Sequence, residues 1–346
     1  MGERNETVDA LRAVAALAVC LFHFTRFELF EGVSVLSVCR YGGLGVEVFF
    51  VISGFIVPYA MVRAGYTLRA WPTFMGKRLL RLEPPYLVSI ALVLALDAIT
   101  TLVTGGGPQA SPWSAAQVAS HVGYLTGLLG LDWLNLVYWS LAIELQFYLL
   151  CSLLTPVLAL LRREHARVAV VLGLAALASL VPGASDHTLM PYLPIFGLGL
   201  LVFLVQSALV GRASFWIAMG ALVALLAGTL PLPSVIAGTA TALVIACVRM
   251  RRIAPVAWLG TLSYSLYLVH VPIGGRLIML GGRLGASAGL ELLLVGAALA
   301  LSLGVAYVLF LTVERPSRTL AARIRYGRPS FASPVLDARV LRSSQR

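Results

Sequence analysis

Apolar residues fall along this chain in blocks of membrane-spanning length, and the polar positions that interrupt them are few enough to name. The blocks cover about 8–27, 43–62, 84–104, 138–161, 167–182, 190–210, 213–230, 233–249, 258–280 and 288–313. A helix needs roughly 20 apolar residues to cross the hydrocarbon layer. The pattern therefore predicts an all-α integral membrane protein with about ten transmembrane helices. The fifth and eighth blocks are short, which predicts tilted or broken helices there.

Composition sharpens this picture. Hydrophobic residues make up 59% of the chain and charged residues 12%, with a mean hydropathy of +0.90, whereas a soluble domain carries about 25% charged residues. The net charge of +11 does not point to nucleic acid, because no basic patch is interleaved with aromatics. The arginines sort by topology instead. With a cytoplasmic N-terminus, the inside segments hold Arg4 and Arg12; Arg63, Arg69, Lys77, Arg78 and Arg81; Arg162, Arg163 and Arg167; Arg212; Arg249, Arg251 and Arg252; and every arginine from Arg315 onward. The outside segments keep only Arg26, Arg40, Arg276 and Arg283. Cytoplasmic loops carry the excess of Lys and Arg, so both termini are expected in the cytoplasm. The four cysteines, Cys20, Cys39, Cys151 and Cys247, have no metal-ligand spacing, and no metal is expected. The first apolar block carries Arg12 and no small-residue cleavage site, which marks it as a mature helix.

The polar interruptions carry the candidate chemistry. Arg12 and His23 are eleven residues apart, three turns plus about 20°, so they share a helix face about 16 Å long. Ionisable groups in a spanning helix face a bundle interior or a wet cavity. In the second block, Glu47 falls near the outer end and Ser53-Gly54 deeper; Gly54 suits close helix packing, and Glu47 suits either the interface or a site. Arg78 and Arg81 share a face in KRLLRLEPPYL, where Pro84-Pro85-Tyr86 is expected to start the third helix. Paired arginines suit phosphate recognition, but charge alone is explained by topology and by contact with anionic membrane lipids. The 105–137 segment, with Pro112, Trp113 and His121, is expected to be an outer loop resting on the membrane surface, and His121 and His187 to be solvated. Glu144 lies four residues after Ser140 and four before Tyr148, so these three share a face. A carboxylate there needs a partner, and His23 is one candidate, since a carboxylate fixes an imidazole's tautomer. Ser263, Tyr267 and His270, spaced i, i+4, i+7, share a face of the ninth helix.

Together these motifs resemble the membrane-bound acyltransferase-3 family of bacterial O-acetyltransferases. The resemblance runs from the Arg12/His23 pair through GVEVFFVISGF, RLLRLEPPYL, WSLAIELQFY and SYSLYLVH to the VERP around Glu314. It implies an acyltransferase domain over 1–318, with a basic, loose cytoplasmic tail over 319–346 and no fused SGNH hydrolase-like domain. The implied donor is acyl-CoA, most simply acetyl-CoA, used as a co-substrate with no bound cofactor. The implied acceptor is a surface or lipid-linked glycan, in a bacterial inner membrane, with or without a separate extracytoplasmic partner. By the same resemblance His23 acts as general base with Glu144 orienting it, and Arg12 positions the donor or stabilises oxyanion charge. Arg78, Arg81 and Tyr86 would meet the donor. Glu47, Ser53, Ser140, Tyr148, Ser263, Tyr267 and His270 would line the acceptor side or a pore. The rival on physics alone is a transporter or flippase for a lipid-linked sugar, which would consume no acyl-CoA.

Overall fold

A computed structural model describes residues 5–25, 34–104, 113–181, 185–282 and 288–326. Arg4, Arg26, Arg283, Pro112 and the tail from residue 327 lie outside the described residues. Regular structure among the described residues is helical throughout. The long elements are α1 (Glu6–Thr25), α2 (Gly45–Arg63), α3 (Trp71–Thr104), α5 (Tyr138–Leu160), α6 (Glu164–Ser179), α7 (Leu193–Gln206), α8 (Arg212–Thr229), α9 (Leu232–Cys247), α10 (Ala254–His270) and α12 (Ala288–Leu309). Three short helices join them: α4 (Ala115–Val122), α11 (Arg276–Gly282) and α13 (Arg315–Arg323). Each of the ten apolar blocks is thus a helix. Among the described residues, seven helices are long and apolar enough to cross a membrane, and Met190–Gln206 and Leu232–Cys247 are shorter apolar helices.

The helices group into two compact units. The first holds the described residues up to Val46 together with Leu79–Ala142 and Arg251–Ala321. Its centre is α1, which packs against α10 and against the 3₁₀ helix Ser34–Leu44. Small residues make this approach close. Ala10, Ala13, Ala15 and Ala16 are buried along α1, and a Cβ added at Gly260 would lie 2.2 Å from the Asp9 carbonyl oxygen. A Cβ at Gly42 would lie 2.1 Å from the Ala18 carbonyl oxygen. Helix backbones in lipid pack this tightly only where side chains are missing. Two π-helical turns interrupt this unit, Val271–Gly275 directly after His270 and Phe310–Glu314 after α12.

The second unit holds Glu47–Arg78, Ile143–Met250 and the described residues from Ala322 on. Here α2 crosses α7 glycine to glycine. A Cβ at Gly54 would meet the Phe196 carbonyl oxygen at 2.2 Å, and one at Gly199 the Val51 carbonyl oxygen at 2.1 Å. Phe50, Phe196 and Phe147 stack beside this crossing, with centroids 4.6 and 4.1 Å apart. Gly54 therefore serves packing. Arg167 is buried rather than a loop charge: its Nε donates to the Leu158 carbonyl at 2.9 Å and an Nη to the Leu209 carbonyl at 2.6 Å. The Leu158 carbonyl lies in the last turn of α5, where cations are favoured, and the Leu209 carbonyl lies in the turn that follows α7. Glu164 does the converse at the start of α8, accepting from the Gly211 N–H and the Ser214 hydroxyl, each at 2.7 Å.

Three sequence expectations change. Pro84 and Pro85 do not open a helix; α3 runs through them from Trp71. Prolines inside a helix remove ladder hydrogen bonds and crowd the preceding turn, here those that would reach the carbonyls of Leu80 and Arg81; separately, the Leu82 carbonyl accepts from the Tyr264 hydroxyl at 2.8 Å. The 113–137 segment is folded rather than a surface loop. It opens with a capping box between Ser114 and Gln117 and buries His121, whose Nδ1 donates to the Gln117 carbonyl (2.7 Å) and whose Nε2 accepts from the Leu134 N–H (3.0 Å). Residues 319–323 of the expected tail belong to α13.

Candidate active site

In the first unit, α1 presents Arg12 and His23, both half-buried. The Arg12 Nε donates to the Ser263 hydroxyl on α10 at 3.3 Å, and Ser263 in turn donates to the Gly260 carbonyl. One helical face lower in sequence distance, His270 on the same α10 reaches His23: its Nε2 lies 3.2 Å from the His23 Nδ1, with ring centroids 5.1 Å apart.

The protons of this pair follow from its acceptors. The His270 Nδ1 faces the Leu266 and Tyr267 carbonyls at 3.1 and 2.8 Å. A carbonyl only accepts, so Nδ1 of His270 carries hydrogen, and its neutral ring has an accepting Nε2. The His23 Nδ1 faces the Val19 carbonyl at 2.9 Å as well as that Nε2. It too must donate, and in neutral His23 the lone pair sits on Nε2. Two histidines 247 residues apart in sequence thus hold one tautomer of His23.

The other first-unit candidates line this neighbourhood differently. The Tyr267 hydroxyl lies 2.6 Å from Ser140 Oγ, and both hydroxyls reach the Val137 carbonyl, at 3.2 and 3.1 Å. They fix α10 to the start of α5. Arg81 is half-buried on α3. Tyr86, expected at the donor, is fully buried, its hydroxyl donates to the His121 carbonyl at 3.2 Å, and its ring stacks on Tyr124 at 4.7 Å. Sequence reading also passed over Glu314 as an interfacial charge. It is buried, accepts from the Ser265 hydroxyl at 2.6 Å, and pairs with Arg318 at 3.3 Å. The i, i+4 spacing of Glu314 and Arg318 was the available signal.

In the second unit, one Glu144 oxygen accepts from the Ser53 hydroxyl and from the Tyr148 hydroxyl, each at 2.5 Å. The Arg78 guanidinium lies over the Tyr148 ring at 5.0 Å and over the Phe74 ring at 5.6 Å. Glu47 accepts from Ser234 on α9 at 2.8 Å, an interhelical tie. The structure thus joins Glu144 to Ser53 and Tyr148, while the hydrogen bonds described for His23 go to Val19 and His270. Among the described residues no group of three or more His, Cys, Asp or Glu side chains is arranged to hold a metal.

Within this all-α membrane bundle, α1 thus carries an arginine and a histidine that both meet α10. Residues 5–311 match a family described as an acyltransferase domain, and the chain belongs to this acyltransferase-3 family of membrane acyltransferases. Among similar proteins, the chain is 28% identical to the membrane-bound transacylase BcsY of Komagataeibacter xylinus, by name, over 78% of this chain and 72% of that one. It is 28% identical to Nodulation protein 10 of Rhizobium leguminosarum bv. viciae, over 81% and 85%. It is 27% identical to the Acyltransferase MdmB of Streptomyces mycarofaciens, over 93% and 94%. No solved structure matches the chain.

Proposed function

We propose that this protein is an O-acyltransferase of the bacterial inner membrane that moves an acyl group, acetyl in the simplest case, from acyl-CoA to a hydroxyl of a cell-surface saccharide or lipid-linked glycan. Both termini lie in the cytoplasm on this reading, so the donor enters from the side rich in arginine. The observation that carries the proposal is the placing of the His23 Nδ1, 2.9 Å from the Val19 carbonyl oxygen and 3.2 Å from the His270 Nε2, from which the lone pair of neutral His23 is assigned to Nε2.

The chemistry then runs through that lone pair. His23 Nε2 takes the proton of the acceptor hydroxyl as its oxygen attacks the thioester carbonyl, forming a tetrahedral oxyanion. The intermediate collapses with cleavage of the carbon–sulfur bond. The leaving CoA thiolate takes the proton back from His23, and the acyl ester departs. His270 holds His23 through the transient positive charge, since its Nε2 accepts the Nδ1 proton. Relay beyond His270 is blocked because its own Nδ1 proton meets only carbonyls. Arg12 takes a donor-positioning role rather than an oxyanion role. About 16 Å of helix separates it from His23, too far for one reacting oxygen to lie within ~3 Å of both. Arg78 and Arg81 are the expected phosphate contacts.

The test is CoA release by purified protein in nanodiscs, given acetyl-CoA and a cell-envelope glycolipid extract. Wild type should release CoA only with the extract present. His23→Ala should lose transfer by roughly 10²–10⁴-fold while eluting as folded protein. Full activity of that variant would remove His23 from the mechanism. Absence of acyl-CoA consumption by wild type, with transport of a lipid-linked sugar, would replace the transferase reading.

A further inference from the structure

Glu144 is a carboxylate inside a spanning helix, and such a group has a function or a structural partner. Its partners here are hydroxyls. One oxygen receives two hydrogens, from Ser53 on α2 and from Tyr148 one turn along α5, both at 2.5 Å. These are short, charge-assisted bonds, and they fix the Tyr148 ring, which is itself buried. Above that ring stands the Arg78 guanidinium at 5.0 Å, with Phe74, one turn before Arg78 on α3, closing in at 5.6 Å. The guanidinium is half-buried, and among the described residues it forms no ion pair and no hydrogen bond. Its closest described partners are the two ring faces, and its charge also reaches Lys77, Cys151 and Tyr326.

That arrangement has a chemical meaning. Stacking on aromatic faces holds a guanidinium plane without using its N–H edge. Donation of the Tyr148 proton to a carboxylate raises electron density in the ring and strengthens its hold on a cation. A carboxylate paired directly with Arg78 would cancel its charge, whereas one acting through a phenol orients it and leaves the charge for an anion.

We propose that Ser53, Glu144 and Tyr148 are positioning residues for an anion site at Arg78, and that this site takes a phosphate group of the acyl-CoA donor. The proposal rests on the acyltransferase reading above for the donor's identity. It moves Glu144 away from the base: the carboxylate acts on donor binding, and the pH dependence of His23 is independent of it.

The experiment measures equilibrium binding of CoA to the full-length protein in nanodiscs, beside acetylpantetheine, which has the thioester but no phosphate. Tyr148→Leu removes the ring and should weaken CoA binding roughly tenfold. Tyr148→Phe and Glu144→Gln, which keep the shape, should weaken it about threefold. Acetylpantetheine binding should move in none of them. In an Arg78→Met background, Tyr148→Leu should add nothing further, since its effect acts through the arginine. In turnover, Glu144→Gln should raise KM for acetyl-CoA and leave kcat and its pH profile in place. The proposal is overturned if Glu144→Gln preserves CoA affinity and instead lowers kcat with a displaced pH profile. It is equally overturned if Tyr148→Leu and Arg78→Met losses add in full. A wild type that binds CoA yet transfers no acyl group fails the transferase reading alone, and the binding series still decides this one. A wild type that binds no CoA overturns both.

Discussion

Around His23 the first unit assembles neutral groups, whereas in the second unit Arg78 stands on aromatic rings, one of them backed by a carboxylate. His23 is held by a carbonyl and a neutral histidine, and Tyr267 by a serine and a carbonyl. Arg78 stands on a tyrosine whose proton is given to a carboxylate, and elsewhere in that unit Glu164 caps the start of α8 and Arg167 donates to two backbone carbonyls. A base needs its proton positions fixed while its charge stays adjustable. An anion site needs a permanent charge whose direction is fixed. The same lipid environment penalises both, and the two regions meet that cost by different partners.

The largest effect that separates the regions should come from the glycine crossing of α2 and α7. Gly199→Val places side-chain atoms where a first Cβ already lies 2.1 Å from the Val51 carbonyl oxygen. The backbones must part, and loss of most folded protein is expected in fluorescence-detected size exclusion. Ring substitutions in the first unit should leave that profile intact. A normal elution profile for Gly199→Val would mean that the crossing is not tightly constrained.

Next in size is the role of His270. His270→Ala removes the acceptor of the His23 Nδ1 proton but leaves the Val19 carbonyl, so turnover should fall by roughly 10- to 100-fold and not to zero. His270→Gln can place its amide oxygen where Nε2 stands and should recover most of the loss. Equal losses in both variants would make His270 a packing residue only.

How far the sequence could anticipate this depends on the distance over which each signal acts. The ten helices were legible because apolar run length is local, and the shared faces of Arg12 with His23, and of Ser140, Glu144 and Tyr148, follow from helical periodicity alone. The need of Glu144 for a partner was also legible; its i+4 partner Tyr148 lay in the same motif, but Ser53 lies 91 residues away. The His23–His270 bond has no local trace, since either ring alone reads equally well as a satisfied core histidine. The prolines at 84 and 85 misled because their rule is statistical. It ranks helix starts above interiors, and only the fold shows that α3 runs through them from Trp71. His121 misled for the opposite reason: a Gly- and Pro-rich neighbourhood hides a capped helix whose packing buries the ring.

The smallest effect is on acid stability, and it bears on the contrast directly, because in each unit a titratable group outside the spanning helices is held by defined partners. In the first unit, burial pushes His121 below its ordinary value of 6.5, against the opposing hydrogen bond to Gln117. Its neutral form is the one the fold uses, since Nε2 accepts from Leu134. As pH falls below 6.5 the unfolded chain takes up this proton first, so the stability held by His121 is complete above that value and is lost below it. In the second unit, the Ser214 hydroxyl and then the Gly211 N–H hold the Glu164 carboxyl below its ordinary 4.5. There too the unfolded chain protonates first, but only below 4.5, so stability present above that pH is lost as pH drops through the carboxylate range. Hydrogen exchange at pH 7, 5.5 and 4 should therefore show the 113–137 segment loosening between the first two steps. The turn at 207–214 should stay protected until the last. His121→Gln, which cannot titrate, should remove the first loosening and leave the second. If both segments opened together near pH 5.5, neither the neutral histidine nor the capped carboxylate would be setting local stability, and the assignment of separate polar strategies to the two units would fail at its most exposed points.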